Sequence, residues 1–185
     1  HKRLRWVEVS RENNFEEGIK NLLTDLYPDN AHFIYELLQN AEDAGATTCR
    51  FAVTSSELVF EHDGSRMFDL KDIDSITSIA ASTKKDDETQ IGKFGVGFKA
   101  VFAYTKTPRV QSGDFDFYIE DLVVPRVADG AASAAPSHTR FIIPFDNPDK
   151  SLAVAAAEVR RSLSDLQYTT LLFLNSISTI EHVVD

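Results

Sequence analysis

The sequence predicts an α+β fold with one mixed, largely antiparallel sheet, and three observations support it. Helix-patterned and strand-patterned segments are interleaved without the regular strand–helix–strand alternation of a doubly wound sheet. No internal repeat is present. With 185 residues, 43% of them hydrophobic, the chain is long enough for a single domain, residues 1–185, with a sizeable core.

The elements follow in order. "NFEEGIKNLLTDLY" reads as an amphipathic helix stopped by Pro28. Asp29 or Asn30 can cap a second helix over Ala31 to Ala44, which Gly45 ends. "TTCRFAVTSSELVFEHDG" reads as two strands around a Thr-Ser-Ser turn. "FDLKDIDSITSIAAS" is weakly helical, and "STKKDDETQ" has the composition of a mobile loop. "IGKFGVGFKAVFAYT" opens with glycines and continues as a helix; "DFDFYIEDLVV" and "HTRFIIPF" are strand patterns separated by the small, polar "RVADGAASAAPSH". "SLAVAAAEVRRSLSDLQ" is a helix, and "TTLLFLNSISTIEHVV" supplies one or two closing strands.

Composition narrows the function. A formal net charge of -10 makes the domain a poor candidate for tight nucleic-acid binding, which needs a basic surface. Cys49 is the only cysteine and lies in an apolar strand run, so it reads as a small core residue. The five histidines show no metal-ligand spacing. No signal peptide or bilayer-length apolar run is evident, and an intracellular, soluble location is expected. The ends, "HKRLRW" and "EHVVD", read as cut points in a longer polypeptide.

Three stretches carry chemistry. In "YELLQNAEDAGA", at about 100° per residue, Phe33, Ile34, Leu37, Leu38 and Ala41 form an apolar stripe, with Glu36, Asn40 and Asp43 in a narrow polar stripe beside it. Asn40 can give Mg²⁺ an oxygen ligand, and Glu36, one turn away, can take a proton from an attacking water. In "GKFGVGF", Gly92, Gly95 and Gly97 let backbone N–H groups approach an anion closely. The stretch is neither a Walker loop nor a dinucleotide fingerprint. In "FEHDGSRM", Asp63-Gly64 ends a strand, a turn signal whose Asp can also accept a hydrogen bond from an exocyclic amine.

In this order, Glu36-x-x-x-Asn40-x-x-Asp43, Asp63-Gly64, Gly92-x-x-Gly95-x-Gly97 and a later Thr resemble the GHKL ATPase superfamily, whose ATP-binding unit is the Bergerat fold. "ELLQNAEDA" and "IGKFGVGFKAVF" are close to the heat shock protein 90 versions; "EHDG", "STK", "KTPRVQSGDF" and "HTRFIIPF" resemble the sacsin-like branch. The resemblance runs from about Phe15 to Phe145. It implies a two-layer α/β sandwich with helices on one face of the sheet, and Mg²⁺-dependent ATP hydrolysis that drives conformational change, as in chaperones. Glu36 matches the general base and Asn40 the Mg²⁺ ligand, while Asp43 lies near the nucleotide. Asp63 takes the adenine amine, with Gly64 and Met67 beside it. Gly92, Lys93, Phe94, Gly95, Val96, Gly97 and Phe98 wrap the phosphates, with Lys99 also within reach in sequence, and Thr139 helps hold adenine. Residues 66–91 match the lid that closes over ATP or ADP.

The pattern departs from the family at one place. His62 stands in the family's usual Asp column, with Asp63 one position later, and Arg66 replaces a flexible Gly. Asp63 is the expected adenine contact, with His62 packing nearby; the alternative is that a neutral His62 pairs with an adenine edge, less selectively than a carboxylate. Alternatives to hydrolysis are a nucleotide-gated interaction module that does not turn over, and a histidine-kinase-like phosphotransfer domain, against which Glu36 argues. Expected partners are other domains of the same polypeptide and, with ATP, a second protomer. One of these would complete the site with a cation, so turnover of this fragment alone is expected to be slow, with Lys84 and Lys85 as partial substitutes.

Overall fold

The computed structural model describes residues 32–78, 97–128, 137–166 and 168–184. The expected first helix, the Asp29 or Asn30 cap, Lys84, Lys85 and Gly92 to Val96 lie outside the described residues, as does most of "RVADGAASAAPSH". Numbered in chain order, the helices are α1 (Phe33–Asp43), α2 (Leu70–Ile76) and α3 (Leu152–Ser164). The strands are β1 (Thr48–Val53), β2 (Glu57–His62), β3 (Arg109–Ser112), β4 (Phe115–Glu120), β5 (Val124–Val127), β6 (Thr139–Pro144) and β7 (Thr179–Val184). Two 3-10 helices, Phe98–Ala103 and Tyr168–Phe173, complete the set.

The strands form one seven-stranded sheet in the order β5-β4-β3-β6-β2-β1-β7. Every pairing is antiparallel except that of β1 with β7. Strand residues alternate between faces, and the burial pattern shows that only one face is covered. A single register line crosses the covered face through Phe51, Phe60, Phe141, Val110 and Phe117. The Phe51 and Phe60 ring centroids are 4.6 Å apart, and those of Phe60 and Phe141 6.0 Å, within the range where tilted aromatic pairs add to area burial. The opposite face carries ion pairs such as Arg140 with Glu61.

Helices cover that apolar line. Phe33, Ile34, Leu37, Leu38 and Ala41, the predicted stripe of α1, are all buried in the core, as are Ala155, Ala156, Val159 and Leu163 of α3. Ser151 caps α3 by accepting from the Val154 N–H. Cys49 is fully buried in the same core, where burial pushes its thiol up to about 12. The fold is therefore the one-sided α/β sandwich expected. The pattern over "DFDFYIEDLVV" resolves into β4 and β5 around a turn at Asp121 and Leu122, whose positive φ angles of 47° and 67° reverse the chain. The helix expected after the glycines is a 3-10 helix, and Arg109–Ser112 forms a strand that no sequence pattern singled out.

The single parallel pair depends on Glu42. Its carboxylate accepts from the backbone N–H groups of Asn175 and Ser176 at 2.8 Å each and of Ile177 at 3.1 Å, at the entrance to β7. These bonds hold its pKa below the ordinary value, against the partial desolvation that opposes them. An anion at a helix C-terminus is otherwise disfavoured. Glu42→Ala is expected to cost about 1.5 kcal/mol in urea unfolding, the lower end for charged hydrogen bonds because water can reach these N–H groups. Amide exchange at residues 175–177 should accelerate with it. Unchanged stability and exchange would remove Glu42 from this role.

Candidate functional site

One register line beyond the aromatic row, the covered face turns polar. His62 is the cross-strand partner of Cys49 on β1 and of Thr139 on β6. The Ser112 hydroxyl on β3 continues the line, 2.6 Å from that of Thr139. His62, Thr139 and Ser112 are all buried, and buried polar groups need partners. Ser112 and Thr139 satisfy each other. Met67 Sδ lies 3.5 Å from Ser112 Oγ and 3.7 Å from Thr139 Oγ1, and Ser112 Oγ also accepts from the Phe68 N–H at 3.0 Å. His62 Nδ1 accepts from the Gly64 N–H at 3.2 Å. Burial lowers the imidazole pKa to about 4, with Asp63 opposing the shift, so the ring is neutral at pH 7.

The helix wall is built on an i, i+4, i+8 line of α1 and its C-cap. Glu36 is half-buried, and burial raises its carboxyl pKa, with His32 opposing. A Cβ on Gly97 would sit 2.0 Å from Glu36 Cδ and 2.2 Å from Oε1, so only glycine lets the end of the glycine loop meet this carboxylate. Asn40, one turn on, is buried at 8% exposure, and its side-chain amide finds no partner among the described residues. That oxygen suits a hard cation such as Mg²⁺. Another turn on, Ala44 receives the end of β2. A Cβ on Gly64 would lie 2.8 Å from Ala44 Cβ and 2.9 Å from its carbonyl oxygen, and the Arg66 N–H donates to that carbonyl at 3.3 Å.

The structure therefore brings Glu36 against Gly97, Gly64 against Ala44 on the same line of α1 as Glu36 and Asn40, and Met67 against Thr139 and Ser112. Asp43 sits exposed beside the Ala44 junction, its pKa raised by partial desolvation with Arg66 opposing. Phe98 is a core residue, its ring centroid 5.8 Å from that of Phe141. Gly92, Lys93, Phe94, Gly95 and Val96 lie outside the described residues.

Asp63 is placed differently from the expectation. It follows His62 and so points to the other side of the strand, where Oδ1 accepts from the N–H groups of Thr47 at 2.7 Å and Thr48 at 2.9 Å, and Oδ2 from the Thr47 hydroxyl at 2.7 Å. Three of the roughly four acceptor positions of a carboxylate are spent on the turn between α1 and β1. His62 takes the inward position. Strand parity was the missed signal: Leu58, Phe60 and His62 share one face.

Lys99 is also relocated. It is buried, with Nζ donating to the Ile76 carbonyl at 2.7 Å and to that of Leu122 at 2.5 Å. It thereby holds the end of α2. The first part of the expected lid, 66–78, is tied to Ala44 and Ser112 through the Arg66 and Phe68 N–H groups, and is braced within itself. Arg66 pairs with Asp72 at 3.0 Å, and Asp69 and Asp72 form a capping box.

The Asp63 bonds lower its pKa to about 2. A depressed carboxyl contributes stability above its unfolded value, and that contribution is lost as pH falls through the folded one. Asp63→Asn should therefore be less stable than wild type at pH 7, with the gap closing between about pH 4 and pH 2. Denaturant unfolding across that range reads this directly; a gap of constant size contradicts the assignment.

Comparison with known proteins places the chain. It is 36% identical over 104 residues to Sacsin of Homo sapiens, covering 48% of this chain and 2% of that protein. It is 30% identical over 189 residues to Protein NO VEIN of Arabidopsis thaliana, covering 88% of this chain and 7% of that protein. The chain thus spans a small fraction of the length of either relative. Among the described residues no helix is long and apolar enough to cross a membrane. A model described as the Sacsin domain matches residues 12–141, a span that holds every wall residue from Glu36 to Thr139. With the greater part of its length inside that model, the chain belongs to the Sacsin domain family.

Proposed function

We propose that this domain binds a purine nucleoside triphosphate, ATP in the first instance, with Mg²⁺, and hydrolyses it slowly to drive conformational change within a longer chaperone-type protein. The observation that carries the reading is the α1 line: a carboxylate against Gly97, then a buried Asn whose amide has no partner among the described residues, then the docked end of β2. Asn40 Oδ1 would hold the metal ion, which would neutralise phosphate charge. Glu36, with its pKa raised by burial, would orient a water and take its proton, as suits a general base. His62, Met67 and Thr139 would receive the base at the sheet end. A partner domain or second protomer would supply the cation that phosphoryl transfer needs, which is why turnover by the isolated domain is slow. A non-hydrolysing module is a second reading, favoured by Arg66, which is paired to Asp72 where the GHKL pattern it resembles has a flexible Gly.

ATP or ADP with Mg²⁺ at about 100 times its dissociation constant is expected to stabilise the fold by about 2.7 kcal/mol. Asn40→Ala should lose most of that gain. A melting temperature unmoved by millimolar nucleotide, with no heat in calorimetry, would sink the binding reading.

Glu36→Ala should keep nucleotide affinity within about threefold and abolish turnover, a loss of about 10²–10⁴ for a general base. Gly97→Ala should reproduce the loss without removing a reacting group, because the new Cβ displaces the Glu36 carboxylate. Single-turnover assays separate the outcomes: turnover that survives Glu36→Ala removes Glu36 as the base, whereas wild-type protein that binds nucleotide without any turnover favours the module.

A further inference from the structure

We infer that the base subsite presents a hydrogen-bond donor, Nε2–H of His62, and so takes a 6-oxopurine nucleotide at least as well as an adenine nucleotide. This rests on the nucleotide reading above and concerns the same site.

The argument begins with a backbone amide. Gly64 N–H can only donate, and it points at His62 Nδ1 at 3.2 Å. Nδ1 is therefore the bare nitrogen. Neutral imidazole carries its one proton on the other nitrogen, so Nε2 is a donor. Gly64 cannot swing away to release Nδ1, because it is wedged against Ala44 and its following chain is bonded to the Ala44 carbonyl. The tautomer is thus fixed by the docking of β2 on α1.

The ring is buried at 3% exposure, yet Nε2 finds no partner among the described residues. Its cross-strand neighbour on the covered face is Thr139, whose hydroxyl is engaged with Ser112. Asp63, the nearest carboxylate in sequence, faces the opposite side and is committed to Thr47 and Thr48. The inward position therefore offers no carboxylate to an exocyclic amine. A donor there opposes the 6-amino group of adenine and pairs with the 6-oxygen of hypoxanthine or guanine. A site built around one hydrogen-bonding sense discriminates against the other because a buried group is left unpaired.

Inosine triphosphate isolates the 6-position, since it lacks the 2-amino group of guanine. Dissociation constants for ATP, ITP and GTP with Mg²⁺, measured by calorimetry on the wild-type chain, are expected to place ITP equal to or tighter than ATP. His62→Asp puts an acceptor at the position and should move the ATP-to-ITP preference at least tenfold toward ATP. His62→Asn is the companion variant where a buried carboxylate prevents folding; its amide oxygen should move the preference in the same direction. ATP binding at least tenfold tighter than ITP in wild type, or a preference unmoved by either folded variant, overturns the inference and leaves the nucleotide reading standing. No binding of any of the three nucleotides overturns both.

Discussion

The docking of the β2 end on the C-terminal cap of α1 is the constraint on which the site depends. Two residues without bulk make it possible. Gly64 approaches Ala44 so closely that a Cβ would meet both its Cβ and its carbonyl oxygen. A larger residue at either position would lift the sheet end from the helix. Around this contact the chain is fastened three times more: Arg66 N–H to the Ala44 carbonyl, Asp63 to Thr47 and Thr48, and Glu42 to the entrance of β7. Each fastening uses a group that helix termination leaves free or a carboxylate placed to receive backbone donors. Together they join the end of one helix line, Glu36–Asn40–Ala44, to the end of the strand that carries His62 in the sheet line His62–Thr139–Ser112.

The sheet makes that arrangement stable because its polar line lies one step outside an aromatic one. Phe51, Phe60 and Phe141 sit side by side under α1 and α3, and burying such side chains contributes about 1.5–3 kcal/mol each. The hydroxyls of Ser112 and Thr139 bond each other, so the polar end closes without leaving its groups bare. Among the described residues two groups find no partner, the Asn40 amide and the outer nitrogen of His62.

Much of this was legible in sequence. The apolar stripe of α1, the hairpin around Thr54 to Ser56, the buried Cys49 and the one-sided sandwich follow from period, turn residues and motif order. The misplacements have identifiable causes. Residue chemistry favours Asp63, since a carboxylate suits an amine, whereas strand parity with Leu58 and Phe60 puts His62 inward. Closeness in sequence to the glycines favours Lys99, but its ammonium is drawn to carbonyls of residues 76 and 122, a contact that no local pattern encodes. Ala44 and Ser112 carried no signal of their own. One matters through its smallness beside a distant glycine, the other through a register across three strands.

The charge balance of the site follows from the same relocations. On the proposed reading a triphosphate of several negative charges enters a domain of net charge -10. Among the described wall residues the groups nearest the α1 line are an acid, Glu36, and two neutral groups, Asn40 and His62, the imidazole being uncharged because burial holds its pKa near 4. Lys99 is spent on the end of α2, and Arg66 on Asp72. Neutralisation would then fall to the divalent cation at Asn40, to the backbone N–H groups of the 92–97 stretch with Lys93 beside them, and to a cation from outside the domain. Such a division makes binding depend on metal and loop backbone. It leaves the step that needs charge on the terminal phosphate to whatever docks on the domain. On that reading the switch would spend nucleotide only when assembled, because the described wall residues would supply a base and a metal ligand but no cation aimed at the transition state.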